Sequence, residues 1–410
     1  MSLGTAVLTA TLVPALAAAG VAADWPQWRG PARDGLIAGL APRTSWPESL
    51  KPAWKLTVGV GHSSPVVVGD RVFQFSRIGD DEIVQALDLA SGKSVWRQSY
   101  AVPYTMNMAA MSHGKGPKST PLVDGGRIFT LGISGILSAF DAATGRVLWR
   151  KEFGAQFKET SPLFGAATSP VIDQGRLIVY VGGNGNGALT AFNPATGAVL
   201  WAFKGDGPAY ASAIAAELAG VRQVVTLSDS NLVGVSADKG ELLWKLPFTT
   251  EYVQNAVSPV VRGDLVIYTG LEHSVKAVRI AKTGTAFAVQ PVWENPEVAS
   301  YMSSPVVAGD RVYGLSHKKK GQFYCLDALT GKTIWLSEGR QGDNAALLAG
   351  GGALFLLTTE SELLVANAAG ASFSVLKRYS VAASPTWAHP VVLGEGVLVK
   401  DAESLAFLKF

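Results

Sequence analysis

Residues 139–150 read "AFDAATGRVLWR", and near-copies recur as "ALDLASGKSVWR" from Ala86, "AFNPATGAVLWA" from Ala191 and "CLDALTGKTIWL" from Cys325. A box that repeats an Asp or Asn, a Gly and a Trp at fixed offsets is either a repeated binding site or a repeated joint. The Trp residues decide the period. Trp54, Trp96, Trp149, Trp201, Trp244, Trp293 and Trp335 are spaced 42, 53, 52, 43, 49 and 42 residues apart. A second signature alternates with them: "SSPVVVGDRVF" from Ser63, "STPLVDGGRIF" from Ser119, "TSPVIDQGRLI" from Thr168, "VSPVVRGDLVI" from Val257 and "SSPVVAGDRVY" from Ser303. Degenerate copies start at Ser212, Ala345 and Ala388, which makes eight. A period of this length belongs to propellers and solenoids.

Each signature translates into strands. An apolar run, a Gly-Asp pair and a second apolar run form a tight antiparallel hairpin, with Gly at the φ > 0 position. Pro at the first strand position removes no ladder bond. The Trp box is a second hairpin, turned by Thr-Gly. Two hairpins per repeat predict an all-β fold, an eight-bladed β-propeller of four-stranded antiparallel blades. The eighth copy stops at Phe410 after three strands, and a Trp-bearing strand, "PAWKLTVG" at 52–59, stands unpaired ahead of the first hairpin. That N-terminal strand is predicted to complete the C-terminal blade and close the ring, removing the open edge. Residues 52–410 then form one propeller, preceded by an arm at 24–51.

Composition narrows the function classes. The chain of 410 residues is 48% hydrophobic and 16% charged, enough for a large core and against disorder. Net charge is +3, and the only dense basic run is Lys318-Lys319-Lys320, so nucleic acid is not an expected partner. A single cysteine, Cys325, excludes an intramolecular disulfide framework and a multi-Cys metal site. Residues 1–23 carry no charge, are rich in Ala, Leu and Val, and end in Val21 and Ala23 before Asp24. This reads as a secretory signal peptide, without the usual basic start, and predicts an exported, periplasmic or extracellular protein. Pro14 and the Ala/Gly content argue against a permanent membrane span.

The box Ala-x-Asp-x-x-Thr-Gly-x-x-x-Trp resembles the tryptophan-docking motif of the pyrroloquinoline quinone (PQQ)-like repeat family, with its best matches at Ala139/Asp141/Thr144/Gly145/Trp149 and Ala191/Asn193/Thr196/Gly197/Trp201. The resemblance covers essentially the whole chain after the signal segment. It implies that the seven Trp residues pack between neighbouring blades, as a large aromatic on an outer strand can. It leaves function open, because such propellers include PQQ-dependent dehydrogenases and non-catalytic assembly factors of the BamB type. Two copies depart from the pattern: the fifth inserts residues before Trp293, and the seventh, "VANAAGASFSVLKRY", has no Trp. Less regular packing is expected at those two rims.

The resemblance implies that a quinone enzyme would stack PQQ on a Trp, hold calcium by carboxylate and Asn oxygens, and use an Asp as base. No such set can be matched here, and a cap of adjacent cysteines is impossible with one Cys. No cofactor and no catalytic residue are therefore expected, with PQQ and calcium as the alternative. The segment "YTMNMAAMSHGKGPKS" at 104–119 holds Tyr104, Met106, Met108, Met111 and His113. It reads as a loop folded over one face; soft ligands at this spacing make Cu(I) the alternative. His62, Trp387 and His389 precede innermost strands, and are expected near the funnel mouth. The leading expectation is a monomeric, non-catalytic scaffold that binds a protein or another cell-envelope component. The rivals are a small quinoprotein alcohol or sugar oxidoreductase and a copper-binding propeller.

Overall fold

The computed structural model describes residues 24–156 and 162–410; the signal-peptide assignment lies outside them. The described residues form eight four-stranded antiparallel sheets and only short 3-10 turns besides. Blades 1 to 7 are continuous in sequence, at 66–101, 122–152, 171–203, 214–247, 260–295, 306–336 and 345–380. Blade 8 combines the last three strands, 391–409, with Lys51–Thr57 as its outer strand, paired antiparallel to Ser404–Lys409. The ring closes as the repeat count requires. Cys325 is buried on the third strand of blade 6, directly opposite Trp335.

The joints between blades are built from two halves. Outside blade 7 each outer strand carries its Trp beside a register shift, and in blades 1 to 3 it stands opposite a small residue, Ala86, Ala139 or Ala191. The ring then leans onto the following blade. Trp54 Nε1–H donates to Leu89 O (2.8 Å), Trp96 to Ala142 O (3.0 Å), Trp149 to Pro194 O (2.9 Å), Trp201 to Ala237 O (3.2 Å) and Trp293 to Ala328 O (3.1 Å). Beneath each ring lies the box glycine of that following blade: Gly92, Gly145, Gly197, Gly240 and Gly331, all at φ between 67 and 74°. A Cβ there would meet the indole at 2.4 to 2.9 Å. The box Asp or Asn holds the turn, as Asp141 does by accepting from Thr144 N (2.9 Å) and Thr144 Oγ1 (2.8 Å).

Where the following blade lacks this turn, the Trp changes role. In blade 5 the strands His273–Thr283 and Ala286–Asn295 run past the position where the other boxes turn. Trp244 in blade 4 therefore meets no glycine of its neighbour. Its Nε1–H donates to Gln223 Oε1 (2.6 Å) and its ring covers Gly234 of its own sheet. The elongated hairpin fills the gap with Phe287 and Val289 against the cluster that holds Leu243 and Leu246. At blade 7 the acceptor, Ala368 O, is taken by the Tyr313 hydroxyl (2.5 Å). Trp335 Nε1 has no acceptor, and its ring packs on Phe373 instead. Blade 8 has a seam in place of that turn, and Lys377 stands opposite Val365 where a Trp would be, paired with Glu48 of the arm (2.7 Å). The sequence expects less regular packing at the rims of blades 5 and 7. Both sheets are complete, and the irregular packing lies at the joints these two blades form, 4/5, 6/7 and 7/8.

Inside the ring, the Ser-Pro signatures form a second, smaller belt. Ser64 N donates to Thr120 Oγ1, Thr120 N to Ser169 Oγ, Ser169 N to Ser212 Oγ, Ser212 N to Ser258 Oγ and Ser258 N to Ser304 Oγ, at 2.9 to 3.2 Å. His389 N closes onto Ser64 Oγ (2.8 Å). Each buried hydroxyl satisfies an amide of the neighbouring blade that its own sheet leaves unpaired.

Gly145→Ala tests the joint. Gly69, at φ 58° with nothing within 4 Å of a Cβ, is the control for backbone strain alone. Gly69→Ala is expected to cost about 1 kcal/mol, the usual left-handed penalty, and Gly145→Ala at least ~2 kcal/mol more, because the Trp96 ring must move. Urea unfolding of the two variants measures the difference.

Candidate functional site

The segment 24–41 enters the central channel from the end that carries the innermost hairpins. Trp25 exchanges backbone hydrogen bonds with Val67 of blade 1 (2.7 and 2.9 Å), and Pro26 O accepts from Val123 N of blade 2 (2.8 Å). The chain turns at Gly30 and leaves along blade 7, where Ala349 N donates to Gly35 O (2.9 Å) and Ile37 N to Ala349 O (2.8 Å). Between these contacts Arg33 donates to Ala213 O (2.9 Å), Pro170 O (2.6 Å) and Ser169 O (3.1 Å). Arg29 donates to Pro305 O and to Asp34 O. Both guanidiniums are buried, and burial lowers Arg29 to about 10 and Arg33 to about 9. A buried cation is costly unless its donors meet acceptors; carbonyls at the entry of the inner strands satisfy Arg33, whereas Arg29 is bonded through one nitrogen and its Nε and other terminal nitrogen have no partner. The sequence suggests packing along a blade or across a face for this arm; it is a plug that ties blades 1, 2, 3, 4, 6 and 7 together.

Above the plug, at the opposite end of the axis, lies a pocket of about 130 Å³. Its wall comes from the loops that enter seven of the eight blades: His62, His113 and Lys118, Phe164, Tyr210, Gln254, Met302 and Trp387. Only an axial position can collect residues from so many blades. His62 stacks on Trp387 (5.3 Å, 14°), His113 meets Trp387 edge-on (5.4 Å) and Phe164 at right angles (5.4 Å), and Phe164 meets Tyr210 (5.6 Å). Burial, then the charges of Lys118, His113 and Lys400, hold His62 well below the usual imidazole range. Burial and Lys118 lower His113 likewise. Lys118 is the one charged side chain in the wall; its Nζ donates to Gly114 O (3.2 Å), and burial lowers it to about 8.

The structure brings His62, His113 and Trp387 together and separates them from other expected site residues. His389 is half-buried below the mouth, edge-on to Trp28 of the plug (5.4 Å), and burial with nearby Arg29 lowers it to about 3. His62 and His389 are not equivalent: His389 takes the place of Ser64 in the hydroxyl belt. Met108 and Met111 are 86% and 64% exposed on the 3-10 turn Met108–His113, while the His113 ring turns inward. The Met side chains and His113 therefore do not converge on one copper site. Met106 and Tyr104 are half-buried beside this turn, and burial raises Tyr104. Sequence reasoning misses Phe164, Tyr210, Gln254 and Met302. Their shared signal is a position shortly before each Ser-Pro signature, or before Ser212 in blade 4.

Calcium with PQQ needs several oxygen donors. The pocket wall offers no carboxylate, one amide in Gln254 and a cation in Lys118, so it does not fit that group. Among the described residues no group of three or more His, Cys, Asp or Glu is placed to hold a metal.

Residues 80–337 match the family model described as outer membrane protein assembly factor BamB. The chain belongs to this family of PQQ-type propellers. BamB of Shewanella oneidensis is 26% identical over 281 residues, covering 65% of this chain and 68% of that protein. Among solved structures, BamB from Moraxella catarrhalis superposes with a TM-score of 0.61 at 15% identity, covering 88% of this chain and 98% of that one. A europium-containing methanol dehydrogenase superposes with a TM-score of 0.67 at 14% identity, over 95% and 98% of the two chains. At these identities the structural likeness establishes the fold alone. BamB propellers and quinone dehydrogenases share it, so the wall of the axial pocket has to carry the distinction.

The lowered Lys118 makes a pH prediction. Above pH 8 the folded chain releases the Lys118 proton while the unfolded chain keeps it up to about 10.5, so stability gains from this group as pH rises through that window. Lys400, also lowered to about 8, contributes with the same sign. Stability measured by urea unfolding at pH 7 and pH 9.5 is expected to rise less, or fall more, in Lys118→Met than in the wild type.

Proposed function

We propose that the protein is an exported, non-catalytic propeller that binds another protein of the cell envelope through the face around the axial pocket. The observation that carries this reading is the character of that face. The wall is aromatic, with one cation and no acid, and the segments that give it His113 and Gln254 also carry the exposed side chains of Met108, Met111 and Tyr252, the last 66% exposed. Exposed Met and Tyr on segments that line a concave apolar site are the composition of adaptable protein-binding surfaces. Membership of the BamB family supports a scaffold role, and relatives named as outer membrane protein assembly factors support an envelope partner. Among the described residues no helix is long and apolar enough to cross a membrane. The quinoprotein reading has the fold in its favour but lacks a ligand set in the pocket wall.

Crosslinking and pull-down from envelope extracts test the proposal. One partner captured by the wild type is expected to fall at least fivefold with Trp387→Ala and with the double variant Met111→Glu/Tyr252→Glu, both folded by circular dichroism. Capture indifferent to both variants would remove the pocket face from the reading. In parallel, PQQ with Ca²⁺ is added to the full chain and followed by absorbance and dye-linked alcohol oxidation. No stoichiometric complex is expected, and a tight one would overturn the non-catalytic assignment.

A further inference from the structure

The plug shows how the channel wall can be read by a peptide backbone. In a two-residue hairpin the pair flanking the turn is hydrogen-bonded, so the next pair is not, and its N–H and C=O point out of the sheet edge. Among the eight innermost strands these next-to-turn residues include Val67 (opposite Val72), Val123 (opposite Ile128), Ala349 (opposite Leu354), Val261 (opposite Val266) and Val307 (opposite Val312). The first three are the very residues that the plug pairs with, antiparallel at Val67 and parallel at Ala349. Val261 and Val307 have the same register, and among the described residues their backbone groups pair with nothing outside their own sheets. Both are half-buried and line an open cleft of about 460 Å³ between the plug and blades 4 to 6.

We infer that this cleft binds an extended segment of a partner polypeptide, which pairs its backbone with Val261 and Val307 as the plug does with Val67 and Ala349. The inference rests on the scaffold reading above and adds a second contact surface at the opposite end of the axis. Unpaired strand edges are ready templates for strand addition, in which main-chain bonds supply affinity and alternate side chains supply selectivity. The cleft selects small or β-branched apolar side chains, because Ala215, Ala216, Pro259 and Val260 form its wall. Charge does not select the occupant. Arg33 is consumed by carbonyls, Asp34 Oδ1 accepts from Leu36 N (2.9 Å) within the plug, and Arg262 is held by Asp310 (2.7 Å) and Gly309 O (2.9 Å). The chain's own arm thus occupies three of these equivalent edges and leaves the pair at Val261 and Val307 free.

The test uses a fluorescent peptide copying residues 24–37, which carries both strand-pairing stretches of the plug, with the full-length protein and anisotropy as readout. The double variant Val261→Pro/Val307→Pro removes only the two channel-facing N–H groups and leaves the ladder within each blade intact. It is expected to weaken binding at least tenfold, while Val261→Ile/Val307→Ile keeps affinity within about twofold. A peptide N-methylated at Ile37 is expected to lose binding to the wild type as the Pro variant does, and decides the matter if that variant fails to fold. Absence of saturable binding, binding indifferent to the prolines or the N-methyl group, or equal loss in the Ile variant would overturn the inference. If envelope capture depends on Trp387 and Met111 but the peptide result is negative, the scaffold reading stands and the channel edge falls. If capture is indifferent to those variants while the peptide binds through Val261 and Val307, the channel edge stands and the pocket face falls.

Discussion

One contact organises the ring: an indole from one blade lying on a left-handed glycine of the next, with its N–H bonded to a carbonyl of the same turn. Neither partner suffices alone. The ring requires the space that only a missing Cβ leaves, and the turn requires a cover over its exposed backbone. This reciprocity explains the irregular copies better than drift within single blades does. Trp244 lies opposite an elongated hairpin and has folded back on Gly234. Trp335 lies opposite a turn whose carbonyl is already engaged by Tyr313. Lys377 faces the seam, where there is no turn at all. The box belongs to the interface, and its two halves are written on successive repeats.

That division accounts for what could be read from the sequence. Strand count, hairpin positions and the seam followed from period-2 runs punctuated by glycine, because each is decided by local chemistry. The axial pocket was legible only in part. Trp387 and His62 stood out as unusual residues before innermost strands, and they do stack. Phe164, Tyr210 and Met302 sit in loops of different length, and nothing local says that such loops meet on one axis. His389 shows the reverse error: it shares a neighbourhood with His62 in sequence, yet it stands two residues further along the entering chain, in the place of Ser64, and lies below the mouth toward Trp28.

The arm was the least legible element because its fit is entirely non-local. "DWPQWRGPARDG" carries no periodicity, and its two arginines look like surface residues. Inside the channel they meet carbonyls contributed by segments 136 to 276 residues away. Arg29 and Arg33 also adopt positive φ, a conformation that costs energy for a non-glycine residue and is held here by the surrounding wall. The plug fills part of a channel otherwise lined with strand edges, pairing with those of blades 1, 2 and 7.

The seam gives the molecule a particular order of events in time. Lys51–Thr57 leaves the ribosome early, but its partner Ser404–Lys409 emerges last. The arm ahead of that strand needs walls from both ends of the chain, since Trp25 pairs in blade 1 and Ile37 in blade 7. Contacts this distant in sequence form slowly. Blades 1 to 7 can assemble from neighbouring hairpins as the chain appears, whereas latching the eighth blade must wait for residues 391–409 and seating the arm for blade 7. Until then the edges of blades 1 and 8, and the channel wall itself, are open to other strands.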